Sequence, residues 1–155
     1  KNKVITFLML LGLLLFAAAC NTVQGLEEPD SWAPNNPLVT ASAEEFSKET
    51  NISKQVEVKA GYTFTITLDS NATTGFQWNE QAQIADTKVL TQRAHQYVAP
   101  ATNNSSTPVA GMSGIEEWTF IASQTGTTTA TFSYDRPWEG GEKSVRTFEL
   151  TVIVK

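Results

Sequence analysis

A strict alternation of apolar and polar residues most constrains what this chain can fold into. In its clearest form, over residues 62–69, large apolar side chains alternate with threonines and an aspartate. A period of two residues places all the apolar side chains on one face of a β-strand, which an amphipathic helix cannot do. Because β-branched threonine is favoured on the solvated face of a sheet, the stretch predicts a half-buried strand.

Six further stretches carry a strand signal, which is weaker at residues 88–98. They are separated by turn residues such as Gly61 and Gly126, without any long helical periodicity. They are residues 55–59, a strand from Phe76, and residues 88–98, 116–122, 127–134 and 143–154. Short strands at this spacing predict an all-β fold, an immunoglobulin-like β-sandwich of about seven strands over residues 51–155. Within it, Trp78 and Trp118 are expected to be core aromatics.

The first 19 residues predict a secretory signal. Lys1 and Lys3 precede an uncharged, Leu-rich run at residues 4–19, which is short for a membrane span of about 20 apolar residues. Cys20, the only cysteine, follows directly. This arrangement resembles the lipobox of bacterial lipoproteins, which implies a lipidated Cys20 and an extracytoplasmic protein anchored to the bacterial cell membrane. An ordinary signal peptide followed by an incidental cysteine is the alternative.

Residues 20–50 differ in composition from the rest and predict an acidic tether. They contain Pro29, Pro34 and Pro37, six acidic residues, a single Trp32 and little apolar periodicity. Without the first 19 residues, nine basic residues face 16 acidic ones, a net charge of −7. This charge argues against nucleic acid as a partner. A single cysteine also allows no disulfide within the chain.

No catalytic or metal-binding set can be assembled from the sequence. His95 is the only histidine, and we expect it to be a solvated or partly packed strand residue. A metal site would need several histidine, cysteine or carboxylate ligands close together. No serine lies in a recognisable nucleophile motif, and His95 has no cysteine partner. The sequence therefore predicts a protein that is not an enzyme and that uses no metal or cofactor.

Three polar loops interrupt the strands, and each is followed by a strand rich in aromatic or β-branched residues. The first, residues 71–76, reads Asn-Ala-Thr-Thr-Gly-Phe. The second, residues 111–114, reads Gly-Met-Ser-Gly and ends a long polar stretch, and the third contains Arg136-Pro137-Trp138. Asparagine and glycine tolerate a left-handed backbone, so each loop alone is ordinary turn chemistry.

In this order, the three loops resemble the chagasin family of cysteine protease inhibitors. The signatures of that family are an Asn-Pro-Thr-Thr-Gly-aromatic loop, a Gly-rich loop before a strand, and an Arg-Pro-Trp loop. The resemblance covers about residues 52–155. Two positions depart from the pattern, because Ala72 stands where the family has proline and Met112-Ser113 interrupts a denser run of glycines.

The resemblance implies an immunoglobulin-like sandwich whose three loops, all at one end, block the active-site cleft of a papain-like cysteine protease. It places Thr73 and Thr74 over the catalytic cysteine and histidine of that partner, with the other two loops gripping the cleft from either side. The residues expected to contact the protease are Asn71, Thr73, Thr74, Gly75, Phe76, Gly111, Met112, Ser113, Gly114, Arg136, Pro137 and Trp138.

The alternative is a surface-anchored immunoglobulin-like adhesion or glycan-binding module. It would use Trp32, Trp138 and the threonines as a binding platform. The position of Trp138 separates the two hypotheses, since a tryptophan lying flat on a sheet face favours glycan binding and three loops at one end favour inhibition. The structural alternative for Arg136 is a surface ion pair with Asp135 or Glu139, which would contribute little stability.

Overall fold

The computed structural model describes residues 36–100 and 111–155. The predicted signal sequence, Cys20 and the first part of the predicted tether, including Trp32, lie outside the described residues. The strands are β1 (Leu38–Ala41), β2 (Asn51–Val58), β3 (Thr63–Ser70), β4 (Gln77–Trp78), β5 (Gln83–Ile84), β6 (Leu90–Val98), β7 (Gly114–Ala122), β8 (Gly126–Asp135) and β9 (Arg146–Val154). They are accompanied by the helix α1 (Ala43–Lys48) and a 3-10 turn at Ala72–Thr74.

The strands form two sheets. The order in the first sheet is β1-β3-β7-β6, and the order in the second is β2-β9-β8-β4, with β5 also pairing with β8. β1 runs parallel to β3 and β2 runs parallel to β9, whereas the other pairings are antiparallel. The prediction of an all-β, immunoglobulin-like sandwich is confirmed. Within the described residues, no helix is long and apolar enough to cross a membrane.

The core between the sheets is built from the alternating positions that the sequence predicts. The inward residues of β3, β7, β8 and β9 that are fully buried are Phe64, Ile66, Leu68, Trp118, Phe120, Ala122, Ala130, Phe132, Phe148, Leu150 and Val152. Phe132 packs edge-on against Trp118, with ring centroids 4.8 Å apart, so aromatic rings join the two sheets. Trp78 is also fully buried, which confirms both predicted core tryptophans.

A carboxylate occupies one of these inward positions. Glu116 of β7 is 3% exposed, and its Oε1 accepts hydrogen bonds from Ser70 Oγ (2.7 Å) and from the backbone nitrogen of Trp78 (3.0 Å). Its Oε2 lies 2.8 Å from His95 Nε2. A buried carboxylate is costly unless its oxygens are hydrogen-bonded, so these partners explain the position. His95 also packs against Trp118 and is therefore partly packed.

The folded domain begins earlier than the sequence predicts. Residues 20–50 were predicted to be a tether, but residues 38–48 form β1 and α1. Val39, Ala41 and Phe46 from these two elements are buried in the core. The tether prediction is therefore wrong for this part of the chain. A strand of four residues and a helix of six are too short to show a clear period.

The short helix α1 is stabilised by hydrogen bonds at its N-terminus. Ser42 Oγ accepts a hydrogen bond from the backbone nitrogen of Glu45, and Glu45 Oε2 accepts one from the backbone nitrogen of Ser42, which forms a capping box. Lys54 of β2 donates a hydrogen bond to Glu45 Oε1. The hydrogen bond from Lys54, followed by that from Ser42, lowers the pKa of Glu45 below its ordinary value of 4.5.

The lowered pKa predicts a pH-dependent contribution of Glu45 to stability. A carboxylate with a depressed folded-state pKa stabilises the fold above its unfolded-state pKa, and loses that contribution as the pH falls through the folded value. Glu45→Gln is expected to reduce the free energy of unfolding at pH 7 by about 0.5 kcal/mol, because the side chain is partly exposed. Denaturant titrations should show this difference shrinking below pH 4.5. A difference that does not change with pH would contradict the assignment.

Candidate functional site

The three loops predicted from the sequence lie at one end of the sandwich. We refer to residues 71–76 as the first loop, residues 111–113 as the second and residues 136–145 as the third. β3 ends where β7 begins, since Ser70 pairs with Gly114, so the first and second loops leave the first sheet together. The first loop leads into β4, which pairs with the end of β8, where the third loop starts.

The first loop is a compact turn closed by its own polar groups. Asn71 Oδ1 accepts hydrogen bonds from the backbone nitrogen and the hydroxyl of Thr73, at 3.1 and 2.6 Å. Thr74 Oγ1 donates to the carbonyl oxygen of Asn71 at 2.7 Å, and Gly75 ends the turn with a φ of 77°. Ala72 lacks the ring of the family proline, and these hydrogen bonds close the turn without it.

Tyr134 of β8 supports the first loop from the core side. Its hydroxyl accepts a hydrogen bond from the backbone nitrogen of Asn71 at 2.9 Å, and its ring stacks on Phe76 with centroids 5.6 Å apart. Asn71 Nδ2 also donates to the carbonyl oxygen of Gly111 at 3.4 Å, which joins the first loop to the second. Both ends of the first loop are therefore attached to neighbouring structure.

The guanidinium of Arg136 lies over the ring of Phe76, 4.4 Å from its centroid. The backbone nitrogen of Arg136 donates to the carbonyl oxygen of Glu142 at 2.9 Å, and Arg136 Nη1 lies 3.4 Å from Glu142 Oε2. The ion-pair partner is thus Glu142 across the loop, in place of the Asp135 or Glu139 considered from the sequence. Arg136 therefore connects the third loop to the first by a cation–π contact.

Trp138 lies at the exposed surface of the third loop, and its indole ring packs next to the first loop. Its side chain is 51% exposed, and a Cβ added to Gly75 would come within 2.9 Å of Trp138 Cη2. The indole therefore occupies space that only a glycine leaves open at this position. Trp138 is a residue of the loop end and does not lie on a sheet face.

The second loop presents two exposed side chains, and the glycine that follows it is buried. Met112 is 41% exposed and Ser113 is also exposed. Gly114 instead is a buried residue of β7, where an added Cβ would meet the carbonyl oxygen of Val98 at 2.5 Å and the hydroxyl of Tyr97 at 2.6 Å. Gly114 therefore serves the close packing of Tyr97 and belongs to the sheet.

A cleft of about 380 Å³ opens beside the loops. Its lining includes Pro137 and Trp138 from the third loop and His95 and Tyr97 from β6. Tyr97 is 43% exposed, and the sequence predicts only that it lies in a strand. The sequence feature that could have pointed to Tyr97 as a cleft residue is an aromatic side chain at the end of a strand, next to a long polar loop. No group of three or more histidine, cysteine, aspartate or glutamate side chains among the described residues could hold a metal ion.

Most of the described domain matches a known protein family. The profile described as "Chagasin family peptidase inhibitor I42" matches residues 57–152. This region contains the first and second loops, the whole of the third, and every strand from β3 to β8. No curated protein matches the sequence.

Three solved structures have a similar fold. The cysteine protease inhibitor EhICP2 from Entamoeba histolytica is 21% identical, with a TM-score of 0.58, over 79% of this chain and 100% of its own. Amebosin is 24% identical, with a TM-score of 0.52, over 77% and 100%. PbICP-C, solved in complex with falcipain-2, is 14% identical, with a TM-score of 0.53, over 76% and 99%. These likenesses show a shared fold.

The contact between Trp138 and Gly75 predicts a specific cost for a side chain at position 75. Gly75→Ala combines a left-handed backbone with an overlap on the indole, whereas Gly61→Ala has a similar φ of 86° and nothing within 4 Å. We expect Gly61→Ala to lower the free energy of unfolding by about 1 kcal/mol and Gly75→Ala by about 1 kcal/mol more. Denaturant unfolding measures both.

Two more variants, Trp138→Ala and Trp138→Ala combined with Gly75→Ala, test whether the indole causes the additional loss of stability at position 75. In a Trp138→Ala background, Gly75→Ala should cost no more than Gly61→Ala, because the overlapping ring is absent. If Gly75→Ala still cost more stability than Gly61→Ala without the indole, the contact with Trp138 would not explain why position 75 requires glycine.

Proposed function

The chain belongs to the chagasin family of peptidase inhibitors, and we propose that it inhibits papain-like cysteine proteases by filling their active-site cleft with three loops. The observation that carries this proposal is the convergence of the loops at one end of the sandwich, joined to one another by the Asn71–Gly111, Arg136–Phe76 and Trp138–Gly75 contacts. Inhibition of this kind needs no chemistry from the chain itself.

The first loop suits the role of a plug. Thr73 and Thr74 are exposed and would lie over the catalytic cysteine and histidine of the protease. The backbone around them forms a 3-10 turn, which presents no extended peptide bond for attack. Because hydrogen bonds already order the turn in the free protein, binding would lose little conformational entropy there.

The third loop suits the role of an anchor beside the plug. Tryptophan and arginine are enriched among the residues that contribute most to binding at interfaces. Trp138 is half exposed and already leans on the first loop, so its indole is placed before the partner arrives. Met112 and Ser113 of the second loop would contact the cleft on the other side.

Two solved neighbours support a cysteine protease as the partner. EhICP2 is described as a cysteine protease inhibitor, and PbICP-C was solved with falcipain-2. The glycan-binding alternative would be favoured by a tryptophan flat on a sheet face. Trp138 instead packs over Gly75, and this position favours inhibition.

The proposal predicts stoichiometric inhibition. Addition of the protein at micromolar concentration to papain and to several related enzymes should abolish cleavage of a fluorogenic peptide. Trp138→Ala should weaken binding by about 2 kcal/mol or more, as the loss of an interface anchor does. Inhibition constants from the same assay measure the change.

Tyr62→Ala is the matched control for Trp138→Ala. Tyr62 is a similarly exposed aromatic residue, at 39%, and it precedes the first residue of β3 at the end of the sandwich opposite the loops. Its replacement should leave the inhibition constant unchanged. The proposed inhibitory function would be rejected if no papain-like enzyme is inhibited. An unchanged inhibition constant in Trp138→Ala would show that this residue has only a structural role.

We also propose that Cys20 carries lipid and anchors the protein extracytoplasmically to a bacterial cell membrane. The support is the lipobox-like end of the apolar run. The direction of β1 fits this arrangement, because β1 runs parallel to β3 toward the loop end. β1 therefore enters the sandwich at the end away from the loops.

The anchor predicts the behaviour of Cys20→Ser in a bacterial host. The wild-type protein should incorporate a labelled fatty acid and sediment with membranes, while Cys20→Ser should incorporate none, because the only thiol is removed. Gel fluorography and fractionation measure both properties. Equal labelling of the two proteins would contradict the proposal.

A further inference from the structure

We propose that Phe46 of α1 is a positioning residue for the inhibitory loops. Phe46 lies before the region that the family profile matches, residues 57–152, in a part of the chain whose sequence predicted only a tether. The inference deepens the proposed function and rests on it, since it assigns to α1 the support of the surface that would meet the protease.

A continuous series of rings leads from Phe46 to the third loop. Phe46 packs on Trp78 with centroids 5.4 Å apart, and Trp78 packs on Tyr134 at 5.0 Å. Tyr134 stacks on Phe76 at 5.6 Å, and the guanidinium of Arg136 lies 4.4 Å from the centroid of Phe76. Each member contacts the next directly, so the series connects the helix to the cation of the Arg-Pro-Trp motif.

The inner members of the series have no room to move independently. Phe46 and Tyr134 are each 4% exposed and Trp78 is fully buried. Protein interiors are close-packed, so the removal of one ring leaves a gap into which its neighbours shift. A gap at Phe46 is therefore transmitted to Trp78 and Tyr134.

Arg146 ties the first and third rings of the series together from the side. Its guanidinium lies 5.1 Å from the centroid of Phe46 and 5.5 Å from that of Tyr134. It also pairs with Asp69 at 3.2 Å. Loss of the Phe46 ring removes one of the two aromatic faces that hold this guanidinium, so Tyr134 is affected by two routes.

Tyr134 is the point at which the series reaches the first loop as well. Its hydroxyl accepts the hydrogen bond from the backbone nitrogen of Asn71, and Asn71 closes the turn that carries Thr73 and Thr74. A displaced Tyr134 ring therefore moves the proposed plug and the proposed anchor together. Binding loops must be held within about 0.5 Å of the productive geometry.

Phe64 offers a matched comparison that separates positioning from simple stability. It is a fully buried phenylalanine that stacks on Phe120 at 5.5 Å. It is the second residue of β3, near the end of the sandwich opposite the loops. Phe46→Leu and Phe64→Leu thus make the same chemical change at opposite ends of one core.

The experiment compares both variants with the wild-type protein in the full chain, kept soluble in mild detergent. Thermal unfolding, the inhibition constant for papain, and hydrogen exchange of the backbone amides of Thr74, Arg136 and Gly141 are measured well below the melting temperatures. These amides donate to Asn71, Glu142 and Trp138 within the first and third loops.

We expect both variants to melt at lower temperature. Phe46→Leu should also raise the inhibition constant about tenfold or more, as small misplacements of binding groups do, and should speed exchange of the three amides. Phe64→Leu should leave the constant and the exchange rates near the wild-type values. If leucine prevents folding at either position, Phe46→Met and Phe64→Met supply the same comparison.

Equal effects of the two substitutions on the inhibition constant and on loop exchange would overturn the inference, because Phe46 would then be core packing alone. Failure of the wild-type protein to inhibit any papain-like enzyme is a separate result, which rejects the proposed function. In that event amide exchange still decides whether Phe46 positions the loops: faster exchange in Phe46→Leu alone supports it, and equal exchange in both variants overturns it.

Discussion

The buried carboxylate of Glu116 fixes the end of the sandwich from which the loops emerge. It sits at an inward position of β7, where an apolar residue would be expected, and is tolerated because Ser70, Trp78 and His95 satisfy its oxygens. These partners come from β3, β4 and β6. One side chain thus ties together strands of both sheets, and the first loop connects two of them.

Most polar side chains of the loops at that end are engaged in contacts within the loops themselves. The hydroxyls of Thr73 and Thr74 both donate back to Asn71, and Arg136 is engaged by Glu142 and Phe76. An enzyme would hold reactive groups ready for a substrate, whereas here the polar atoms order the backbone. This arrangement agrees with membership of a family of peptidase inhibitors, because a loop that is already ordered loses little conformational entropy when it binds.

The sequence correctly predicted the elements that depend on local residue patterns. Alternation over eight to ten residues identified β3, β7, β8 and β9, and turn residues located the three loops. It failed where the element was too short to show a clear period, as in β1 and α1, or where the cause was a distant partner. Nothing near Gly114 in the chain reveals that Tyr97 packs on it. The alternation places Glu116 on the inward face of β7, but nothing near it reveals that Ser70 and His95 bond its oxygens. The lipid at Cys20 stays a prediction.

The parallel pairing of β2 with β9 sets an order on folding. β9 is the last of the described strands, yet it lies between β2 and β8 in its sheet, and its Thr147 pairs with Asn51, far away in the sequence. Such non-local pairing is entropically slow to form. Because β2 lies at the edge with β9 as its neighbour, the second sheet cannot close as the chain is synthesised. The pairing of β2 must wait for residues 146–154 of β9.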